Sequence, residues 1–229
     1  MNSFQFKVSL GAVKIAWNSN ARLTQVEWMA ESLFDTYQVT QTAELTPQLK
    51  NLAQAIRDFF AAGEPIDSSG KLDWSLLDCS GMTAFQESVY RAILQIPHGE
   101  TRTYSWVAQR VGRANATRAV GQALKNNPFP ILIPCHRVTS MHSLGGFMGI
   151  TDPDRPEVGL KRFLLSVEEQ YHNPVFSFLS PRRAESREVS SALISPSYSK
   201  SASGSGAIKG KISGQINEWI DEFRVEALA

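Results

Sequence analysis

Cysteine is scarce in this 229-residue chain: only Cys79 and Cys135 occur. Two thiols are too few for a disulfide framework. They form no CxxC pair, and the four histidines fall at no HxxxH spacing, so neither a metal nor any other cofactor is expected. Long hydrophobic runs are also missing. None reaches the roughly 20 residues of a membrane span, and the start of the chain lacks the basic and apolar regions of a signal peptide. Strong charge of one sign is absent too: the net charge is +1, so the molecule as a whole carries little field. A reducing, intracellular setting without membrane contact is the resulting expectation. The hydrophobic fraction of 42% is ordinary, and the length suffices for one large domain or two small ones with real cores.

What is present concentrates at Pro134-Cys135-His136-Arg137-Val138, directly after the apolar run Ile131-Leu132-Ile133. A thiol is a weak nucleophile and a thiolate a strong one. A neighbouring histidine, cations or a helix N-terminus can lower the thiol pKa into a useful range. Chemistry is therefore expected at Cys135.

Residues 1–80 read as a small α/β domain with its linker. Phe4–Leu10, Val13–Trp17 and Leu23–Trp28 alternate as half-buried strands, with Gly11 and Asn18-Ser19-Asn20 at the turns. A helix follows, with Thr46 as cap, Pro47 in its first turn and Gly63 at its end. The stretch Glu64–Ser80 reads as a surface linker. Residues 81–170 read as mainly α. Thr83-Ala84-Phe85-Gln86 fits a capping box, and Pro97-His98-Gly99 stops the helix it opens. Two short helices, Tyr104–Val111 and Asn115–Lys125, flank Gly112 and resemble a helix-turn-helix. Val107, Ala108 and Val111 are expected to face Ala119, Val120, Ala123 and Leu124.

Between Glu100 and Arg137 lie six basic residues (Arg102, Arg110, Arg113, Arg118, Lys125 and Arg137) and no acid beyond Glu100. Such a local excess fits an anion-facing surface, although a solvated face reads the same way. Residues 171–214 are expected to be disordered: ten of the 26 residues from Ser180 to Ser205 are serine, too little apolar surface to offset ordering entropy. Residues 215–229 read as an amphipathic helix, since Ile216, Trp219, Ile220 and Phe223 share one face. That face fits docking on its own domain or on a partner.

Residues 82–168 resemble the C-terminal domain of the O6-alkylguanine-DNA alkyltransferases. The resemblance rests on Gly99-Glu-Thr-Arg-Thr-Tyr104, Arg118-Ala-Val-Gly121, Asn127-Pro-Phe-Pro-Ile-Leu-Ile-Pro-Cys-His-Arg-Val138, Gly145-Gly-Phe147 and Lys161-Arg-Phe-Leu-Leu-Ser-Val-Glu168, in the family's order. Residues 1–80 are similar, more weakly, to the family's variable N-terminal domain. The resemblance implies a monomer acting on double-stranded DNA that contains O6-alkylguanine, in the cytoplasm of a bacterium or the nucleus of a eukaryote. Cys135 would take the alkyl group in a single irreversible turnover, His136 would accept the thiol proton through a water, Glu168 would orient the imidazole, and Tyr104 would protonate the leaving purine. Arg118 would fill the gap left by the everted base, with Tyr104, Ala119, Gly121 and the hinge residue Asn127 completing the DNA-binding set. Backbone groups of Cys135 and Val138, with Phe147 and Met148, would form the base pocket.

The chain departs from the family where Met148 stands in place of a small residue and where Thr151–Val158 is inserted, which leaves the range of adducts open. No Cys or His occurs in the first 78 residues, so the zinc site of some relatives is not expected. Cys79 reads as a small apolar filler, and His98 and His142 as surface residues. Two other readings compete: a protein that binds alkylated DNA without transfer, against which Cys135 argues, and a Cys-His hydrolase, which would leave Arg118 and Asn127 without a role.

Overall fold

The computed structural model describes residues 1–30, 44–66 and 73–172. The expectations for the Ser-rich tail and the terminal amphipathic helix lie outside these, apart from Tyr171 and His172. Strands β1 (Asn2–Val8), β2 (Gly11–Trp17) and β3 (Leu23–Met29) form an antiparallel sheet in that order. The β1–β2 turn falls at Ser9-Leu10. Gly11 opens β2 with φ +97°, a backbone conformation that glycine adopts freely. Only Lys14 of β2 escapes full burial, so the central strand is covered on both faces and not half-buried as its alternation suggested.

Helix α1 (Pro47–Ala62) begins where expected. The Thr46 side chain accepts from the Leu49 amide, and Gly63 ends the helix in the left-handed region. Leu49, Ala53, Ile56, Phe59 and Phe60 are its buried stripe. The described end of the linker, from residue 73 on, is more tightly held than its composition suggested. A 3-10 turn at Trp74–Leu76 precedes Leu77, which is buried and bridges to Leu23. The Asp78 amide then donates to the Leu23 carbonyl.

Helix α2 (Ala84–Ile93) carries the capping box between Thr83 and Gln86. The strand pair β4 (Arg102–Thr103) and β5 (Val138–Thr139) runs parallel and ties the residues after Cys135 to the start of α3 (Tyr104–Arg110). Helix α4 (Thr117–Lys125) packs on α2 and α3 through Val120, Ala123 and Leu124, and the Tyr90 hydroxyl donates to the Ala123 carbonyl at 2.8 Å. Ala119 is exposed and Val111 only half-buried, so the expected α3–α4 contact is correct for three of its four α4 residues.

Helix α5 (Pro156–His172) corrects two expectations. It starts inside the stretch taken as an inserted loop, with Pro at its first position and Glu157 in its first turn. It also runs through Tyr171 and His172, which were assigned to the disordered tail. Leu160, Leu164 and Val167, at i, i+4 and i+7, anchor it in the core. Helix α1 touches both β1 and α5. Among the described residues no helix is long and apolar enough to cross a membrane.

Candidate active site and nucleic-acid interface

Cys135 starts a 3-10 turn, Cys135–Arg137, and is 4% exposed. The turn is reached through a constrained bend. Ile131, a β-branched residue, sits at φ +77°, and Pro130 bridges to Ile133. Asn127 braces the bend: its Nδ2 donates to the Ile133 carbonyl at 3.0 Å and to Cys135 Sγ at 3.3 Å, while its Oδ1 accepts from the Phe129 amide at 3.0 Å. Burial pushes the thiol pKa up, against the hydrogen bond from Asn127, the charge of Lys161 and the amides of Cys135 and His136. Desolvation outweighs the favourable contacts together, so the thiol rests neutral.

Behind the thiol lies a buried carboxylate. Glu168, fully buried, accepts from His136 Nε2 at 2.7 Å, from Arg137 Nε and Nη2 at 2.9–3.1 Å, and from the Gly99 amide at 2.9 Å. Burial alone would raise its pKa, but His136 and Arg137 together hold the carboxyl well below the ordinary carboxylate range. An ionised Glu168 requires His136 Nε2 to carry the proton it shares, leaving Nδ1 as the basic atom. That Nδ1 is buried and has no hydrogen-bond partner in the protein. Burial also lowers the His136 pKa, against the pull of Glu168, so the imidazole is neutral and able to accept a proton.

A cleft of about 240 Å³ leads to Cys135 and is lined on one side by Gly121, Gln122, Leu124 and Lys125 of α4. Tyr104 and the segment Gly146–Thr151 form the other side. Phe147 and Ile150 exchange backbone hydrogen bonds around Met148 (φ +51°) and Gly149 (φ +85°). Positive φ at both central residues marks a type I′ turn, which presents Met148 at its first corner. The Tyr104 hydroxyl lies 3.5 Å from the Gly146 carbonyl. Burial, then the nearby Cys135, pushes the phenol pKa up, so it stays protonated.

The outer side of α4 faces solvent. Arg118 and Ala119 are exposed, no side chain caps the N-terminus at Ala116, and a Cβ on Gly121 would meet nothing within 4 Å. This is a surface on which a polyanion can approach the helix start closely. The cleft opens beside the same helix.

Residues 84–170 match the family model described as the DNA binding domain of 6-O-methylguanine DNA methyltransferase. A methylated-DNA–protein-cysteine methyltransferase of Bacillus subtilis (strain 168), described as constitutive, is 38% identical over 147 residues, which is 64% of this chain and 79% of the relative. The chain belongs to the methylated-DNA–protein-cysteine methyltransferase family. A member from Mycobacterium leprae (strain TN) is 37% identical over 145 residues, 62% of this chain and 78% of that one. Among solved structures, Mycobacterium tuberculosis OGT in complex with DNA superposes with a TM-score of 0.55 at 29% identity, covering 74% of this chain and 93% of that one.

Within this methyltransferase fold, Tyr104 and Cys135 line the cleft, while His136, next to Cys135 in the chain, is buried and paired with the buried Glu168 at 2.7 Å. Phe147 and Met148 also line the cleft. Val138 does not: it is buried, and its carbonyl accepts from Lys161 Nζ at 2.6 Å. Asn127, the hinge residue of the resemblance, ties the turn after α4 to the active-site loop through the Ile133 carbonyl and also reaches the thiol. Arg137 leaves the basic surface altogether, donating to Glu168 and to the Ile96 carbonyl. Arg102 pairs with Glu100 at 2.6 Å, and Arg110 is held by Gln95.

Three groups escaped the sequence reading. Lys161, fully buried, donates to the carbonyls of Val138, Leu144 and Gly146. Phe59 of α1 packs on His136 at 6.2 Å between ring centroids. His98 is not a surface residue: its side chain is 11% exposed and its ring contacts Phe59. Only Lys161 carried a sequence signal, as a lone cation among the apolar positions of α5.

Proposed function

We infer that this chain repairs DNA by direct reversal, moving the alkyl group of O6-alkylguanine onto Cys135 in a single turnover. The observation that carries the reading is a buried thiol lining the cleft, followed in the chain by an imidazole whose Nδ1 has no protein partner and whose Nε2 is fixed by the Glu168 carboxylate at 2.7 Å.

The sequence of events follows from these groups. O6 cannot be reached inside the stack, so the nucleotide swings out, at a cost of about a few kcal/mol. Arg118, exposed on α4, replaces it in the stack; a guanidinium stacks well and keeps its charge. The base enters the cleft between α4 and the Gly146–Thr151 wall. His136 Nδ1 takes the Cys135 proton through a water, and Glu168 stabilises the imidazolium. Sulfur attacks the alkyl carbon in line. The S–C bond forms as the C–O bond breaks, and the electron pair leaves with the purine. Tyr104 protonates the purine, and its own proton is restored from His136, so the thiol hydrogen ends on guanine. The thioether has no easy hydrolytic exit, and the protein is consumed. A resting thiol suits such a protein, because a permanent thiolate would spend itself on other electrophiles.

Intact-mass measurement after incubation with an O6-methylguanine duplex tests this. One methyl per chain, mapped to Cys135, is the expected result, with none on a Cys135→Ser variant. Repeated turnover, or lesion loss with Cys135 unmodified, overturns it.

A further inference from the structure

The turn between α2 and β4 carries an imidazole that the transfer scheme leaves unused. His98 Nδ1 lies 2.9 Å from His172 Nε2, and His98 Nε2, buried without a hydrogen-bond partner, lies 4.0 Å from Glu168 Oε1. The next residue, Gly99, donates its amide to Glu168 Oε2. Glu168 and His172 are four residues apart, on the same face of α5. The turn therefore grips α5 at two points one helical turn apart, and one of them is the carboxylate that fixes His136. Only glycine fits the hinge of this grip: Gly99 has φ +79°, and a Cβ there would stand 2.6 Å from His172 Cδ2. Phe59 and Tyr171 enclose the His98 ring edge-on at 6.1 and 5.6 Å.

The proton positions follow from the charge on Glu168. A lone pair on His98 Nε2 would face the carboxylate unfavourably, so Nε2 carries the hydrogen and Nδ1 accepts from His172 Nε2–H. A polarised chain then runs from the exposed His172 through His98 to Glu168 and on to His136.

We propose that His98, held by His172, is a positioning residue for alkyl transfer: it fastens the 97–99 turn to α5 so that Gly99 and the His98 ring hold the Glu168 carboxylate against His136. The proposal rests on the alkyl-transfer reading above. The groups facing His98 are Glu168, His172 and the Tyr171 ring from α5, His136 and Arg137 from the active-site turn, and the uncharged Phe59 ring from α1. Burial pushes the His98 pKa down to about 4, against the pull of Glu168, so the grip is intact at neutral pH.

The test compares single-turnover methyl transfer to Cys135 on a lesion duplex across the acid and neutral range, with duplex affinity measured alongside. His98→Phe keeps a ring between Phe59 and Tyr171 but removes both nitrogens. His98→Asn restores a polar atom near Nδ1. We expect His98→Phe to slow transfer about tenfold, the scale on which outer-shell partners act, and to move the pH at which the rate rises downward, because a poorly held carboxylate leaves His136 a weaker base with a lower pKa. Affinity stays unchanged, and His98→Asn recovers most of the rate. His172→Phe, altered at the exposed end where folding is least at risk, shows the same shift, and the double variant is no slower than the slower single one. A His98→Phe protein with unchanged rate and pH profile, whatever its melting temperature, overturns the positioning role, as do additive losses or failure of His98→Asn to restore. If the unaltered protein takes up no methyl group, the alkyl-transfer reading itself has failed.

Discussion

Lys161 is a cation surrounded by backbone oxygen. Its three hydrogen bonds join β5 to the loop that forms the far wall of the cleft, and burial lowers its pKa to about 8. Its charge also favours the thiolate of Cys135. Lys161→Met keeps the stem and leaves three carbonyls short of a donor. We expect a loss of about 3 kcal/mol in denaturant unfolding, the scale for removing one side of a buried polar contact, together with slower alkylation of Cys135 by iodoacetamide at a given pH. Met148 acts on a different quantity. It lines the cleft from a strained corner, so Met148→Gly relieves the positive φ and widens the entrance. The ratio of benzyl to methyl transfer should rise while methyl transfer persists; an unchanged ratio would show that Met148 does not limit adduct size. Cys135 stood out because a Cys-His pair after an apolar run has few other uses, while the base role of His136 came from the family resemblance. The strain at Ile131 and the role of Lys161 were not legible, since both depend on atoms distant in sequence.

Elements position these residues through their ends and their close approaches. Thr46, Pro47, Gly63 and the Thr83–Gln86 box were readable because capping is local chemistry. Helix α5 was obscured by Asp and Pro residues before it and by the polar groups on its inner face, Lys161, Ser166 and Glu168, which break the apolar stripe. Two of them, Lys161 and Glu168, are the ones the site uses, while Ser166 bonds back to the Phe163 carbonyl of its own helix. Gly63 lets the end of α1 approach α5 closely: a Cβ there would stand 2.0 Å from the Val167 carbonyl, one residue before Glu168. Gly63→Val must therefore separate α1 from α5. It should cost about 2–4 kcal/mol from left-handed strain and overpacking, and it should slow transfer more than DNA binding. On α4, Arg118→Ala is expected to slow repair in duplex DNA with much less effect on the free alkylated base. Equal losses on both would remove the intercalating role.

Acid stability is a property of the whole buried cluster. His136 and His98 both have folded pKa values below the roughly 6.5 of an unfolded histidine. The unfolded chain therefore binds more protons below about pH 6.5, and stability falls as pH drops toward about 4, the value for His98. The depressed Glu168 adds a further loss once unfolded glutamates protonate, near pH 4.3. The melting temperature should fall steadily on acidification from neutral pH, and less steeply in His98→Phe; a flat profile would contradict the burial of these imidazoles. By itself the sequence determined the strands of the sheet, the capped helices, the two short helices α3 and α4 and the place of Cys135 beside His136, because periodicity, caps and short motifs act over a few residues. Tertiary structure alone decided that burial pushes the Cys135 thiol pKa up, that Arg137 turns inward, and that His98 and Lys161 flank the site. Each of these follows from how much water the folded chain removes around a group and which distant partner replaces it.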